Sequence, residues 1–376
     1  MSLAARHTQL GLFRKVLRLN WALILLVGAI ASIGFLMLYS VAGGSLEPWA
    51  GPQMSRFAVG VAIMLIVGMI DIRFFRWASP FAYLGALMLL LAVEFIGKSG
   101  MGAQRWIQLG PMQLQPSELM KVALVIALAR YYAWLDRGRV SHPLWLLPPL
   151  LLIAVPMLLV LKQPDLGTTL LLGLGGAMVM FMAGVSWWYF GTAIGLAAGA
   201  VYAVMASRGT GWQVFKDYQY RRIETFLNPD ADPLGAGYHI TQSKIAMGSG
   251  GFSGRGLMQG TQTRLNFLPE KHTDFIFTTL SEEFGFVGSV SLLALYLLVL
   301  VFGFASMAGN RDRFGALLTG GLTATFFLFF AVNMAMVMGL MPVVGVPLPL
   351  VSYGGSAMLV LLLAFGLIQS AHVHRR

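Results

Sequence analysis

The chain has 376 residues, of which 57% are hydrophobic and only 11% charged, with a formal net charge of +11 and no cysteine. This balance excludes an ordinary soluble domain and a disordered one, and the lack of cysteine excludes disulfides, thiolate metal sites and thiol nucleophiles. Apolar runs of near-spanning length, without short alternating segments, exclude a closed β-barrel and leave an all-α polytopic membrane protein.

At the N-terminus, Arg6, Arg14, Lys15 and Arg18 precede a first apolar run at 21–39. The pattern superficially suggests a signal peptide, but the run is about twenty residues long and lacks a convincing cleavage site, so a retained span is expected. Further spans are expected at 57–70, 81–97, 119–132, 144–161, 166–185 and 187–205, and after a hydrophilic stretch at 275–304, 314–340 and 351–370. The second and fourth are near fourteen residues and need flanking residues or a thinned bilayer to cross. Ten transmembrane helices place both termini on one side. Arg73 and Arg76, Arg137 and Arg139, and Arg311 and Arg313 fall in alternate short loops on the side of the basic termini. The positive-inside rule therefore makes both termini cytoplasmic. The opposite short loops hold only scattered cations, Arg56, Lys98, Arg105 and Lys162. Residues 206–274 then form one large extracytoplasmic loop between spans seven and eight of a single membrane domain, 1–376. Its length exempts its eight Lys and Arg from the charge rule. The net charge reads as topology plus attraction to anionic lipid heads, with no nucleic-acid signature.

Charged groups inside spans are costly and mark pairing or function. Glu94, Glu282 and Glu283 are the interior carboxylates. Glu118 and Lys121 lie three apart on one helical face, close enough to pair. Gln115-Pro-Ser-Glu118 reads as a helix start, with Pro116 ending any upstream helix and the Ser117 hydroxyl available as a cap. Glu282 and Glu283 follow Asp274 by about two turns, roughly 12–13 Å along a helix, and suit either interhelical hydrogen bonding or a polar catalytic cavity.

Within the loop, residues 248–256 are glycine-dense and carry Arg255, with Lys244 before them and Arg264 after. Glycines admit backbone amides to an anion and the cations add charge, so the segment suits a diphosphate; an ordinary turn-rich loop is the alternative. It lacks the Gly-Lys-Ser/Thr ending of a P-loop. Tyr218-Gln-Tyr-Arg-Arg222 fits an anion site or an amphipathic strip in the headgroup layer. Asp274 opens the eighth span, where an Asp commonly caps the helix. The dipole there favours its ionised form, while burial in an apolar rim raises its basicity, and a carboxylate so balanced can take a proton from a sugar hydroxyl. His272 is the competing base, or a surface histidine. Residues 341–355, with three prolines and no charge, read as a re-entrant or packed element.

Five ordered motifs carry a resemblance: Gln115-Pro-Ser-Glu-Leu-Met-Lys121, Lys162-Gln-Pro-Asp-Leu-Gly167, Ala246-Met-Gly-Ser-Gly-Gly251, Phe267-Leu-Pro-Glu-Lys-His-Thr-Asp-Phe275 and Pro347-Leu-Pro-Leu-Val-Ser-Tyr-Gly-Gly355. Together they resemble the SEDS family of shape, elongation, division and sporulation proteins over nearly the whole chain. Gly339-Leu-Met-Pro-Val-Val-Gly-Val-Pro-Leu-Pro and the short tails look like the elongation branch. The Pro-Thr-Lys-Gly typical of the division branch is absent, and Met341 and Ser356 are mild departures.

The resemblance implies ten spans and a peptidoglycan glycosyltransferase that polymerises lipid II on the outer face of the cytoplasmic membrane. It also implies a class B penicillin-binding protein as transpeptidase partner, among other elongation-complex proteins. The family's essential aspartate falls on Asp274, and its Pro-Ser-Glu-x-x-Lys-type glutamate and lysine fall on Glu118 and Lys121. In such a reaction the C4 hydroxyl of the acceptor N-acetylglucosamine attacks the donor's anomeric carbon with inversion, and one base suffices. Asp274 is the expected base. Lys121, Lys244, Arg255 or Arg264 are expected to steady the departing diphosphate, with His272 also in the substrate site. A divalent cation, Mg2+ or Mn2+, could share that work, with Asp274 as its ligand instead of the base; no organic cofactor is implied. The alternatives are a lipid II flippase, with essential charges spread through the bundle, and a non-catalytic scaffold, in which Asp274 is replaceable.

Overall fold

A computed structural model describes residues 11–100, 103–109, 112–208, 213, 236–265, 267 and 270–375. The expected strip at 218–222 lies outside these residues. In chain order the helices are α1 (Leu12–Leu17), α2 (Trp21–Val41), α3 (Ala50–Met69), α4 (Ile72–Ile96), α5 (Pro116–Trp134), α6 (Pro143–Lys162), α7 (Leu166–Ala183), α8 (Trp187–Ala206), α9 (Ala236–Ser249), α10 (Thr261–Arg264), α11 (Ile276–Ala308), α12 (Arg313–Val337) and α13 (Gly355–Val373). A small antiparallel sheet, β1 (Lys98–Gly100), β2 (Ala103–Leu109) and β3 (Met112–Leu114), joins α4 to α5. It qualifies the all-α expectation without changing the architecture.

Among the described residues, nine helices are long and apolar enough to cross a membrane. The expected span at 119–132 is instead met by α5, a 19-residue helix carrying Glu118, Lys121 and Arg130, nearly all of it buried among its neighbours. Its charges lower its hydropathy, and protein rather than lipid surrounds it. Several ends differ from the apolar runs because helices continue through polar turns. α3 begins seven residues before 57, which moves Arg56 from a loop into its second turn, and α4 begins nine before 81, taking in Arg73 and Arg76. α12 stops at Val337 and α13 starts at Gly355, so the proline-rich segment between them is longer than expected. The loop 206–274 is not all irregular, since it contains α9 and α10.

Two layers of contact position the site. α5, α12 and α13 form the buried centre, and α3 packs along α13 where glycines let the axes approach: a Cβ on Gly60 would stand 2.3 Å from Leu362, and one on Gly366 would stand 3.0 Å from the Met64 carbonyl. The sheet is pinned by Arg105, whose guanidinium donates to the carbonyls of Gln163 (3.0 Å) and Pro164 (2.5 Å). Gln163 lies buried at the end of α6 and Asp165 caps α7 through the Thr168 amide, so this corner is closed by hydrogen bonds. α8 buries none of its residues against the rest of the chain.

Candidate active site

Asp274 sits in a turn that delays α11 by one residue. The amides of Thr273 and Phe275 both donate to the Glu270 carbonyl (3.2 and 3.3 Å), so the backbone folds back and Phe275 becomes the N-cap, without a side-chain cap bond. The expected Asp274 cap is therefore corrected. Among the described residues no donor reaches its carboxylate; Oδ2 instead faces Gly345, where an added Cβ would lie 3.6 Å away. The side chain keeps a window to solvent, yet protein crowds it. Burial, with Glu270 adding like charge, pushes its pKa up from 3.8 to about 7.

The backbone around it is held from two sides. The Asn333 side chain on α12 donates to the carbonyls of Asp274 (2.8 Å) and Val346 (2.7 Å). From the proline-rich segment, Ser352 Oγ donates to the Thr273 carbonyl (2.5 Å), and the Tyr353 amide donates to the His272 carbonyl (2.9 Å). His272 is not a free surface group: its ring stacks on Trp49 at 4.7 Å, and burial holds its pKa below the usual 6.5. It is a neutral aromatic wall beside Asp274.

The glycine segment serves backbone packing. α11 breaks at Gly285, whose φ of +64° favours glycine, and residues 250–256 lie against the break. The amides of Arg255 and Gly256 donate to the Glu282 and Glu283 carbonyls (3.0 and 2.9 Å), and a Cβ on Gly254 would stand 2.1 Å from the Glu283 carbonyl oxygen. Those two amides are thus occupied. The Glu282 carboxylate accepts from the amides of Gln262 and Thr263 and from both flanking threonine hydroxyls, neutralising the start of α10. Glu283 accepts from Ser40 on α2 (2.5 Å). Interhelical bonding accounts for both. Glu94 is not interior: it is exposed on the last turn of α4.

Glu118 and Lys121 form the expected pair, 2.7 Å apart and buried, with the Lys121 ammonium 4.0 Å above the Phe329 ring. The N-cap of α5 is Gln115 with Pro116 next, and no side-chain cap bond forms, so the Ser117 cap is corrected. The pair lines a partly open cavity of about 50 Å³ behind the proline-rich segment, shared with Thr325, Pro347 and Ser352. That space suits a few waters and not a disaccharide. Ser352 thus touches both the cavity and the Asp274 turn.

The other expected cations are dispersed. Arg255 donates to the Ser249 carbonyl and to Thr261 Oγ1, Lys244 lies exposed beside Gly339, and Arg264 is exposed on α10. Sequence reasoning missed Asn333, Ser352 and Gln53, whose amide donates to the Ser352 carbonyl (3.0 Å). An Asn inside an apolar helix was the available signal. Among the described residues no group of three metal-ligating side chains occurs. Mg2+ needs only one or two carboxylates beside substrate phosphates, and Asp274 is the residue that would hold such an ion here.

Fold and site define a polytopic α-helical membrane enzyme with one basic carboxylate where several helix ends meet. The family model described as "Cell cycle protein" (FTSW_RODA_SPOVE) matches residues 15–376, and the chain belongs to that family. The chain is 42% identical to peptidoglycan glycosyltransferase MrdB of Escherichia coli K12, covering 97% of this chain and 96% of that protein. It is 32% identical to peptidoglycan glycosyltransferase RodA of Treponema pallidum, covering 96% and 99%. Among solved structures it resembles a chain of a peptidoglycan synthase complex that coordinates polymerization and crosslinking, with a TM-score of 0.80, 31% identity and 94% and 97% coverage. It also resembles the rod shape determining protein RodA of Thermus thermophilus, with a TM-score of 0.70, 29% identity and 95% and 97% coverage.

Proposed function

We propose that this protein is a peptidoglycan glycosyltransferase that polymerises lipid II into glycan strands for cell elongation and shape, with Asp274 as general base. Enzyme class rests on relatives that carry that name and match nearly the whole chain. The observation that carries the mechanism is the Asp274 carboxylate itself. Among the described residues it receives no hydrogen bond, its pKa is raised to about 7, and it is fixed through its backbone by Asn333. A carboxylate of ordinary acidity is a weak base at neutral pH, whereas one near 7 is both ionised in good part and able to accept a proton.

In the reaction, Asp274 takes the proton from the C4 hydroxyl of the acceptor N-acetylglucosamine as its oxygen bonds to the donor's anomeric carbon. The bond from that carbon to the diphosphate breaks, undecaprenyl diphosphate leaves with the electron pair, and the configuration inverts. In the alternative role, Asp274 would be a ligand to a divalent cation instead of the base, and that cation would offset charge on the diphosphate. The positive-inside pattern supports cytoplasmic termini and a site on the outer face of the cytoplasmic membrane. Likeness to a synthase complex supports a class B penicillin-binding protein as partner, beside other elongation-complex proteins.

The test is polymerisation of lipid II in detergent by the purified protein, alone and with its transpeptidase partner, comparing wild type with Asp274→Ala and Asp274→Asn. Wild type should form glycan strands and both variants should lose about 10²–10⁴-fold in rate. Normal polymerisation by the variants would remove Asp274 from the chemistry, and loss of wild-type polymerisation in chelator together with loss in both variants would favour the metal-ligand role.

A further inference from the structure

Arg56 occupies the second turn of α3, one turn beyond Gln53 on the same face. Gln53 is buried and clasps the proline-rich segment, donating to the Ser352 carbonyl (3.0 Å) and accepting from the Gly354 amide (3.5 Å). Between those two contacts stands Tyr353, and the Arg56 guanidinium lies 5.0 Å from the centre of its ring. The Tyr353 amide in turn donates to the carbonyl of His272, two residues from Asp274. Arg56 is therefore placed on the Asp274 turn through one intervening residue, with the Trp49–His272 stack beside it.

Arg56 spends its charge on the Tyr353 ring alone among the described residues. Its Nη1 is buried without a hydrogen-bond acceptor, and among the described residues no carboxylate pairs with it. Lys121 is committed to Glu118, Arg255 to Ser249 and Thr261, and Arg105 to the carbonyls of Gln163 and Pro164, while Lys244 and Arg264 are exposed. Leaving a guanidinium N–H buried and unpaired is unfavourable. A planar fork held over an aromatic ring is suited to bidentate binding of phosphoryl oxygens, which a lysine in the same place could not reproduce.

We propose that Arg56 is the residue that grips the diphosphate of the lipid-linked donor, oriented by the Tyr353 ring. The proposal rests on the glycosyltransferase reading of the same site and adds to it the anion-binding residue. It places that grip on α3 and the proline-rich segment, not on the glycine segment.

Undecaprenyl diphosphate is the probe, and binding is measured in detergent on the full-length Asp274→Asn protein, so that turnover plays no part. Arg56→Gln should weaken binding at least about tenfold and reduce the preference for undecaprenyl diphosphate over undecaprenyl monophosphate. Arg56→Lys should restore only part of it, and Tyr353→Leu should weaken binding while Tyr353→Phe preserves it. Melting temperature within a few degrees of the parent shows that each variant is folded. Unchanged affinity and unchanged selectivity in folded Arg56→Gln would overturn the proposal. If Arg56 variants lose binding while wild type makes no polymer, the anion site stands and the glycosyltransferase mechanism is what fails.

Discussion

The side-chain amide of Asn333 donates to the backbone carbonyl of Asp274 at 2.8 Å and, through the same nitrogen, to that of Val346 at 2.7 Å. One buried residue on α12 thereby fixes the base and the strand of proline-rich chain that faces it. Asn333→Ala leaves two carbonyls without their donor, each costing about 1–3 kcal/mol. A lower melting temperature is expected, together with a drop in the polymerisation rate larger than any change in lipid II affinity. Equal rates in wild type and variant would show that Asn333 does not position the base.

The pH profile separates the two candidate bases. Asp274 must be ionised to accept a proton and its pKa is about 7, so the rate should rise tenfold per pH unit below that value and level off above it. His272 is held below its usual 6.5, so a histidine base would move the limb to lower pH. The measurement is initial polymerisation rate at saturating lipid II between pH 5 and about pH 9.

Stability should run the other way. An acid whose folded pKa is raised disfavours the folded state once it ionises; that penalty is absent below the unfolded value near 3.8 and complete above about 7. Asp274→Asn removes it. The variant should melt higher than wild type above pH 7, with the gap shrinking as pH falls toward 4, which differential scanning fluorimetry in detergent would read.

Breaking the Glu118–Lys121 pair from one side strands a buried charge. Glu118→Gln or Lys121→Met alone should cost about 3–5 kcal/mol, whereas Glu118→Gln with Lys121→Met should recover much of the stability. Activity assays on the double variant then decide what the pair is for. Restored folding with lost polymerisation would mean that the pair serves the reaction through the cavity it lines, and restored activity would mean that it is structural.

Packing of residues 250–256 against the α11 break is tested by comparing two glycines. Gly254→Ala puts a Cβ at φ +82° within 2.1 Å of the Glu283 carbonyl oxygen, while Gly248→Ala meets nothing within 4 Å. The first should lower stability by several kcal/mol and abolish activity; the second should leave both near wild type. Loss of lipid II affinity in folded Gly248→Ala would instead restore the glycine segment as an anion grip.

Much of this protein follows from local composition. Long apolar runs require helices in a bilayer whatever their neighbours, because every backbone polar group must be paired within the segment. Glu118 and Lys121, three apart on one turn, meet in any helix that contains them. Asp274 was marked by its place at the edge of a polar loop and an apolar run, and the motifs around it carried the family resemblance. The helix ends were harder to read, since α3 and α4 continue through turns whose polar residues are satisfied by tertiary partners such as Gln53 with Ser352 and Arg76 with Asp312.

Only the tertiary structure decided which groups share the site. Asn333 and Asp274 are 59 residues apart, and Gln53 and Ser352 are separated by 299; no spacing rule connects positions so distant, because their meeting depends on how whole helices pack. The same packing turned the cations beside the glycines outward, spent two of that segment's amides on the broken helix, and left Arg56 with a buried Nη1 that meets no acceptor among the described residues. Sequence by itself determined the helices, the membrane and the acid. Long-range packing decided that acid's burial and its fixed position.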